Sequence, residues 1–197
     1  MPTEEIEGAG NHLSRELVIA GSDGLLADQA TEVASLLGLA IRRTMEVPAT
    51  ADWLFLVDDN FQTRAAQLRE VPAECLANLV HPTAFVSPSA NLGGNVIVGA
   101  QSIVGMRARV GLGVLQNALS SIEHDDVIGD FSFLGTGAIL CGHVTTGESV
   151  FIGGGATVKP RTTVGARTTL GTGAVLIKDA LPDSTYIGNP ARRLEDR

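Results

Sequence analysis

Residues 127–153 read VIGDFSFLGTGAILCGHVTTGESVFIG, and an aliphatic or threonine side chain returns at every sixth position of this stretch. The same step of six runs back to Val80 and forward to Leu176. Of its seventeen positions, fifteen are aliphatic, ten are followed directly by glycine, and all but one have a small residue four places later. The exception is Asp126. A fixed internal period of this kind indicates a fold built from stacked repeats.

The six-residue period predicts a parallel β-helix, in which each hexapeptide forms one short strand and one turn. Three hexapeptides close a triangular coil, so residues eighteen apart should lie above one another, and each coil depends on its neighbours. We expect the glycine after each aliphatic position to relieve the tight turn. Known hexapeptide proteins wind left-handed, against the usual right-handed crossover. The predicted fold class is therefore a left-handed parallel β-helix over residues 79–197, which includes a C-terminal tail.

Composition and charge narrow the classes of partner. The net charge of −8 argues against nucleic acid or an anionic membrane as partner. The sequence opens with no signal peptide and has no apolar run long enough to span a bilayer, so we expect a cytoplasmic protein with a loose polar tail over residues 1–15. The two cysteines, Cys75 and Cys141, lack metal or redox spacing, and we expect both to be buried thiols in a reducing compartment.

The alternation of strand and helix patterns over residues 16–78 predicts a small, shortened α/β Rossmann-like domain with a parallel sheet. We expect this domain to bind substrate. The predicted strands are 16–20, 41–45 and 53–57, and the predicted helices run to about residue 37 and over 61–70. The turn GSDG at residues 21–24 joins the first strand to the first helix, where a helix N-terminus can bind phosphate. Gly21 and Ser22 are therefore candidate substrate contacts, although the same residues also suit an ordinary tight turn.

The candidate chemistry centres on His124, which lies in the sequence IEHDD at residues 122–126. A carboxylate that accepts a hydrogen bond from imidazole orients the ring and makes it a better base, and Asp125 directly follows. Gly142 comes eighteen residues later, so its N–H should lie one coil away on the same edge and could stabilise an oxyanion. The pair suggests acyl transfer. The alternative is a surface histidine among solvated acids.

The chain resembles the sialic acid O-acetyltransferase and bacterial UDP-4-amino-sugar N-acetyltransferase family over nearly its whole length. The resemblance includes the first strand, its glycine turn and the start of the first helix. It also includes these motifs: Asp59-Asn60 with Arg64, His81-Pro82, Asn117, Glu123-His124-Asp125 followed by Val127-Ile128-Gly129-Asp130, and Gly188-Asn189-Pro190-Ala191-Arg192.

The resemblance implies roles for individual residues. The histidine that matches His124 is the general base, the acid that matches Asp125 assists it, and the glycine that matches Gly142 contacts the acetyl carbonyl. The candidate acceptor contacts are Asn117, Glu123, Phe133, Gly21, Ser22, Asp59 and Asn60. The candidate contacts of acetyl-CoA are Gly142, His143, Gly155, Ala156, Lys159, Gly173, Lys178 and Arg192. For Lys159, Lys178 and Arg192, an ordinary solvated surface charge is the alternative.

The resemblance also implies the co-substrate and the assembly. Acetyl-CoA is the expected co-substrate, no metal is expected, and a nucleotide-linked 4-amino sugar is the expected acceptor. The implied protein is a homotrimer whose active sites lie between subunits. O-acetylation of a sugar hydroxyl remains an alternative, and so does a non-catalytic β-helix that binds sugar nucleotides.

Three departures from the family pattern bear on the acceptor. The family often carries a second histidine nine residues after the base, where this chain has Phe133. The N-terminal unit is short, because residues 45–52 join the second strand directly to the third, which leaves the nucleotide open. Asp126 occupies a normally small, inward corner, and we expect this corner to be distorted toward solvent, since a buried carboxylate needs partners or a proton. The other reading is that Asp126 tunes His124.

A zinc enzyme is the remaining rival, since some left-handed β-helix trimers bind zinc through three histidines. We expect His81 and His143 to lie too many coils or corners from His124 to share a metal with it. His143 should instead flank the acetyl site beside Gly142.

Overall fold

The computed structural model describes residues 16–48, 53–58 and 60–194. The predicted tail over residues 1–15, the candidate Asp59 and part of the connection over residues 45–52 lie outside the described residues. The N-terminal unit consists of β1 (Leu17–Gly21), α1 (Leu25–Leu36), β2 (Ile41–Thr44), β3 (Leu54–Val57) and α2 (Phe61–Glu70), followed by a 3-10 turn at Ala73–Cys75.

A series of two-residue strands follows, one for each hexapeptide. They are β4 (Leu79–Val80), β5 (Phe85–Val86), β6 (Asn91–Leu92), β7 (Ile97–Val98), β8 (Ile103–Val104), β9 (Arg109–Val110), β10 (Leu115–Gln116), β11 (Ser121–Ile122), β12 (Val127–Ile128), β13 (Phe133–Leu134), β14 (Ile139–Leu140), β15 (Thr145–Thr146), β16 (Phe151–Ile152), β17 (Thr157–Val158), β18 (Thr163–Val164), β19 (Thr169–Leu170) and β20 (Val175–Leu176). The described chain closes with β21 (Thr185–Ile187) and β22 (Arg192–Arg193), which pair antiparallel.

The strands stack into three parallel sheets that form the sides of a prism of about six coils. Leu115 pairs with Phe133 and Ser121 pairs with Ile139, so the register between coils is eighteen residues. The aliphatic positions of the repeat point inward and form one continuous buried core. The predicted left-handed parallel β-helix is confirmed. The eighteen-residue step ends near the C-terminus, where Thr169 pairs with Thr185.

The glycines of the repeat have a different role from the one expected. None of the ten adopts the left-handed backbone, which falls two residues later and mostly on other residue types, such as Gln101 and Arg107. The glycines are needed because the next coil approaches closely. A Cβ built at Gly99 would lie 2.6 Å from the nitrogen of Ala118, and one at Gly153 would lie 2.6 Å from that of Thr172. The expectation that they relieve the turn was therefore wrong.

The N-terminal unit packs a three-stranded parallel sheet, in the order β2-β1-β3, against the first sheet of the β-helix. Asn95, at a turn of the β-helix, accepts a hydrogen bond from the N–H of Leu56 (2.6 Å) and donates one to its carbonyl (2.9 Å), as an added strand residue would. The buried Arg64 of α2 donates to the carbonyl of Gly113 at 2.8 Å. These contacts fix the unit along one edge of the prism.

Two further expectations concern the thiols and the membrane. Cys75 and Cys141 are both free, and each is half-buried where full burial was expected. Among the helices of the described residues, none combines the length and the apolar character needed to cross a membrane.

The close approach between coils can be tested at Gly105, which lies beneath the turn that carries His124. A Cβ there would lie 2.7 Å from the carbonyl carbon of Glu123 and 2.7 Å from the nitrogen of His124. We expect Gly105→Ala to lower the free energy of unfolding by about 1–3 kcal/mol, because backbone must shift to admit the methyl group. Chemical denaturation measures this change.

Gly154→Ala is the matched control, because its Cβ would come no closer to a neighbouring atom than 3.2 Å, the distance to the carbonyl oxygen of Thr136. An equal loss of stability in both variants would contradict the close-approach explanation.

Candidate active site

His124 lies on the edge of the prism that joins the second sheet to the third. This edge, called the base edge below, consists of the turns at residues 105–108, 123–126, 141–144, 159–162 and 177–179. Side chains from successive coils project side by side along it. The imidazole of His124 is about half exposed, and its Nδ1 lies 2.8 Å from Oδ2 of Asp125. Because a carboxylate can only accept, Nδ1 carries the proton and Nε2 keeps a free lone pair.

Arg107 holds Asp125 from the coil below. Its Nε and Nη2 donate to the two carboxylate oxygens at 2.7 and 2.8 Å. The hydrogen bond from Arg107, and then that from His124, keeps the pKa of Asp125 well below its usual range, so the group is a carboxylate at neutral pH. Sequence reasoning missed Arg107, although the step of eighteen residues back from Asp125 points to it.

Gly142 lies directly against the imidazole of His124. A Cβ built on Gly142 would lie 2.7 Å from Nε2, so only glycine leaves room for the ring. The carbonyl of Gly142 accepts a hydrogen bond from the N–H of Arg161 at 3.2 Å. Its own N–H meets no acceptor among the described residues. The base and a free backbone donor therefore lie next to each other.

His143 completes the cluster and contradicts the separation expected for it. Its ring lies edge-on to that of His124, with centroids 5.1 Å apart, and its Nε2 is 3.8 Å from Oδ2 of Asp125. Ligand atoms of the two histidines and Asp125 all lie within 4.8 Å of one another, so distance does not exclude a metal there. Arg107 already binds both oxygens of Asp125, and its charge would oppose a bound cation. His81 is placed elsewhere, with its Nδ1 facing Thr83.

Asp126 also differs from expectation, because its corner is regular and its side chain is wholly buried. One oxygen accepts from the N–H of Val144 at 2.7 Å, and the other accepts from the N–H of Glu123 at 2.9 Å. The two N–H groups supply the partners that a buried carboxylate needs. Burial raises the pKa of Asp126 to about 7, even though both hydrogen bonds lower it. The expected distortion toward solvent was wrong.

A cleft of about 490 Å³ lies between the N-terminal unit and the first sheet of the β-helix. Phe133 and Phe151 form its apolar wall, with nearly parallel rings whose centroids are 4.9 Å apart. Asn117 lines the same cleft and accepts a hydrogen bond from Gln29 of α1 at 3.3 Å. The predicted acceptor contacts Asn117 and Phe133 therefore lie together, whereas His124 lies on the next edge of the prism.

Other predicted acceptor contacts have local structural partners. The side chain of Asn60 caps α2 by accepting from the N–H groups of Gln62 and Thr63, both at 3.1 Å. Glu123 accepts from the hydroxyl of Ser121 at 2.6 Å and does not bond the base. Gly21 has a positive φ and pairs with Val57, whose backbone leaves no space for a side chain, while Ser22 is half-buried in the turn that follows.

The predicted acetyl-CoA contacts divide between two edges. Lys159 and Lys178 lie on the base edge, where together with Arg161, which sequence reasoning missed, they line a cavity of about 590 Å³. Gly155, Ala156 and Gly173 lie on the neighbouring edge, in the turns that stack above Asn117. The exposed Arg192 belongs to β22, beyond the last coil. One protomer therefore does not bring all of these residues together.

The raised pKa of Asp126 should make the free energy of unfolding depend on pH. The pKa of Asp126 is about 7 in the folded protein and about 3.9 in an unfolded chain, so the folded state binds more protons between these values. The contribution of Asp126 to stability is therefore greatest below about pH 4 and declines as the pH rises to about 7. We expect wild type to lose stability relative to Asp126→Ser between about pH 5 and pH 8. Urea unfolding at several pH values measures the difference, and a constant difference would contradict it.

No protein-family model matches the chain. Solved structures do match it. The acetyltransferase domain of PglB from Neisseria gonorrhoeae FA1090, in complex with acetyl coenzyme A, aligns with 91% of this chain and 99% of its own, at 29% identity and a TM-score of 0.81. PerB from Caulobacter crescentus, in complex with CoA and GDP-perosamine, aligns with 91% of this chain and 97% of its own, at 29% identity and a TM-score of 0.79.

WeeI from Acinetobacter baumannii AYE has a TM-score of 0.78 over 92% of this chain and all of its own, and at 18% identity it supports the fold alone. The resemblance inferred from the sequence thus agrees with the structures that the chain matches. The likeness to the PglB acetyltransferase domain and to PerB, together with the hexapeptide repeat and the left-handed β-helix, supports an acyltransferase.

Proposed function

We propose that the protein transfers the acetyl group of acetyl-CoA to the amino group of a nucleotide-linked amino sugar, with His124 as general base. The observation that carries this proposal is the fixed imidazole, whose Nδ1 is bound to Asp125 and whose Nε2 faces Gly142. The ligands of the matched structures, which are acetyl coenzyme A in one and CoA with GDP-perosamine in another, support acetyl-CoA as co-substrate and a sugar nucleotide as acceptor.

The geometry suits acyl transfer to an amine. The amine nitrogen attacks the thioester carbonyl carbon and forms the C–N bond, while Nε2 of His124 takes a proton from that nitrogen. The carbonyl oxygen becomes an oxyanion, which the N–H of Gly142 stabilises. The C–S bond then breaks, and the imidazolium returns its proton to the departing thiolate. Asp125 stabilises the imidazolium meanwhile and keeps the ring in the productive tautomer.

The division of the predicted contacts between two edges supports an active site shared by two subunits. Lys159, Arg161 and Lys178 add positive charge to the base edge above His124, which suits the phosphates of acetyl-CoA. Gly155 and Gly173 offer backbone without side chains on the adjoining edge, which suits close approach of the pantetheine chain. In our proposal a neighbouring subunit brings its own adjoining edge to the base edge of the first.

The second sheet suggests where the subunits meet. Its outward face carries Phe85, Ile103 and Ile139 on the stacked strands β5, β8 and β14, and these side chains are 58, 42 and 40% exposed. The half-buried Ser121 of β11 lies between Ile103 and Ile139. A row of exposed apolar side chains is typical of an interaction surface. This sheet lies between the edge that carries Asn117 and the base edge, so burying it against other copies places both edges at the interface. We propose a homotrimer for this reason.

The acceptor cleft suggests a role for Phe133, which stands where the family often has a second histidine. Phe133 and Phe151 offer an apolar wall where a second histidine would offer a polar contact. The polar groups of the cleft include Gln29, Asn117 and Asp58. We propose that a sugar carbon without a hydroxyl group faces the phenylalanine pair, because burying a hydroxyl there without a partner is costly.

The acceptor can be tested by following thiol release from acetyl-CoA. The panel contains GDP-perosamine, UDP-, dTDP- and GDP-linked 4-amino sugars, and the corresponding sugars with a hydroxyl group in place of the amine. We expect turnover on an amino sugar and a loss of about 10²- to 10⁴-fold in kcat for His124→Ala, because the variant lacks the base. Serine at position 132 lies away from the base edge, and Ser132→Ala should keep the wild-type rate.

Each result of this assay has a defined meaning. Turnover on the hydroxyl sugars alone would replace N-acetylation by O-acetylation. Full activity in His124→Ala would remove His124 as base. No turnover on any acceptor, together with no binding of acetyl-CoA by calorimetry, would leave a non-catalytic β-helix.

The trimer can be tested by light scattering. We expect a mass three times the 20.5 kDa of one chain. Ile103→Lys places a charge in the apolar row and should shift the mass toward that of a monomer, because an unpaired charge cannot be buried without large cost. Leu36→Lys is the control, since Leu36 is an exposed residue at the end of α1 on the N-terminal unit. A monomeric wild type, or a trimer that survives Ile103→Lys, would contradict the proposed interface.

A further inference from the structure

The corner that contains Asp126 makes one hydrogen bond that the comparable corners of Asn78, Ser102 and Ser132 do not make. At several corners a polar side chain accepts the N–H of the residue eighteen positions later. These contacts are Asn78 to Val96 at 2.8 Å, Ser102 to Ser120 at 3.3 Å and Ser132 to Val150 at 3.3 Å. Asp126 makes the same contact to Val144, at 2.7 Å. Its second oxygen makes an additional one, to the N–H of Glu123 in its own turn.

The two N–H groups held by Asp126 belong to the two turns of the proposed reaction centre. Glu123 directly precedes His124, and Val144 follows Gly142 by two residues. The carboxylate of Asp126 therefore joins the turn that carries the base to the turn that carries the oxyanion donor, in addition to the backbone bond from the N–H of His143 to the carbonyl of His124 at 3.0 Å. The spacing of these turns matters, because Nε2 of His124 already lies in contact with Gly142.

Asp126 does not touch the space where the acyl group would react. Its side chain has no exposed surface, and it points into the prism while His124 projects outward. A serine at this position would satisfy Val144, as Ser102 and Ser132 do at their corners, and would avoid burying a carboxyl group. The extra oxygen therefore has a local task that the repeat itself does not require.

We propose that Asp126 is a positioning residue that fixes the distance between the general base His124 and the oxyanion donor Gly142. The proposal rests on the function proposed above, since it assigns a role relative to that base. Without the carboxylate of Asp126, the N–H of Glu123 keeps only its longer bond to the carbonyl of Leu140, at 3.2 Å, so the turn that carries His124 is held less tightly. The contact to Val144 alone is enough for the fold. A displacement of the base by about 1 Å can lower a rate by about 10²-fold.

Three groups face Asp126 and must be considered in any test. Glu123 and Cys141 lie close enough to act on its charge from the same turn and from the next coil, and His124 acts on it from the adjacent position. The test therefore depends on variants that change one contact each, and it compares kcat with KM at a fixed pH.

The experiment compares Asp126→Ser, Asp126→Asn and Ser132→Ala with wild type. Asp126→Ser keeps an acceptor for Val144 and loses the one for Glu123. Asp126→Asn keeps the shape, but it turns an NH₂ group toward one of the two N–H donors. We expect both Asp126 variants to keep an unfolding midpoint close to wild type or above it, and to lose about 10- to 100-fold in kcat with an almost unchanged KM for acetyl-CoA. Ser132→Ala removes a matched inter-coil contact and should leave kcat unchanged.

Proton magnetic resonance of the protein alone tests the position of His124 without any acceptor. The chain has only four histidines, so the imidazole C2–H resonance of His124 can be assigned by its loss in His124→Ala. We expect Asp126→Ser to shift or broaden this resonance in the protein alone, and to leave that of His81 in place. Ser132→Ala should move neither.

The outcomes separate this proposal from the function on which it rests. If His124→Ala abolishes turnover while Asp126→Ser has wild-type kcat and an unshifted His124 resonance, the positioning role is wrong and the function stands. If a smaller fraction of folded protein in the assay accounts for the whole fall in kcat, Asp126 is a corner residue of the fold and the proposal is overturned. If no acceptor reacts but the His124 resonance moves, the positioning contact holds and the acetyl-transfer function fails.

Discussion

The parallel register of the coils, eighteen residues apart, is the constraint on which both the fold and the candidate site depend. Neighbouring strands in a sheet lie about 4.8 Å apart, so side chains on successive coils of one edge meet within bonding distance. At the ten glycines of the repeat this approach leaves no room for a side chain. At Gly105 the backbone of Glu123 and His124 occupies the space that a Cβ would need. The repeat thus supplies rigid neighbours without any long loop.

The base edge shows what this stacking can assemble. Three successive coils provide Arg107, then the pair His124 and Asp125, and then Gly142 with His143. Asp125 adopts the left-handed backbone of the turn, with φ of 62°, yet its carboxylate meets both the base and the guanidinium. Each contact is made by a turn whose backbone is already hydrogen-bonded to the coils beside it. Such a site is organised before any substrate arrives, and electrostatic stabilisation of an acyl-transfer transition state depends on that organisation.

Much of this arrangement could be predicted from the sequence, and the parts that could not share a physical cause. The period of six predicted the stacking and placed Gly142 against His124, and the pattern over 61–70 predicted α2 with its observed bounds. The period predicts which residues stack, but it does not predict the direction of a side chain at a turn residue with a left-handed backbone. It therefore does not predict that the ring of His143 lies edge-on against the ring of His124.

Two of the three positions that break the repeat lie beside candidate contacts for substrate, and the third is the buried Thr146. Gln116 replaces an aliphatic residue inside the prism and donates to the carbonyls of Ile103 and Ser120, and it directly precedes Asn117 in the cleft. Asp126 replaces a small residue and is followed one coil later by the Gly142 turn that it holds. An apolar or hydroxyl side chain would make a more stable core at either place, because burying amides and carboxyls is unfavourable. A sequence that keeps one rule over so many coils and buries an amide and a carboxyl group at these two exceptions gives up stability there, and breaks of this kind are expected at functional sites. The physical reason is local: a buried polar group can hold the backbone of an adjacent turn in a direction that an aliphatic side chain cannot impose.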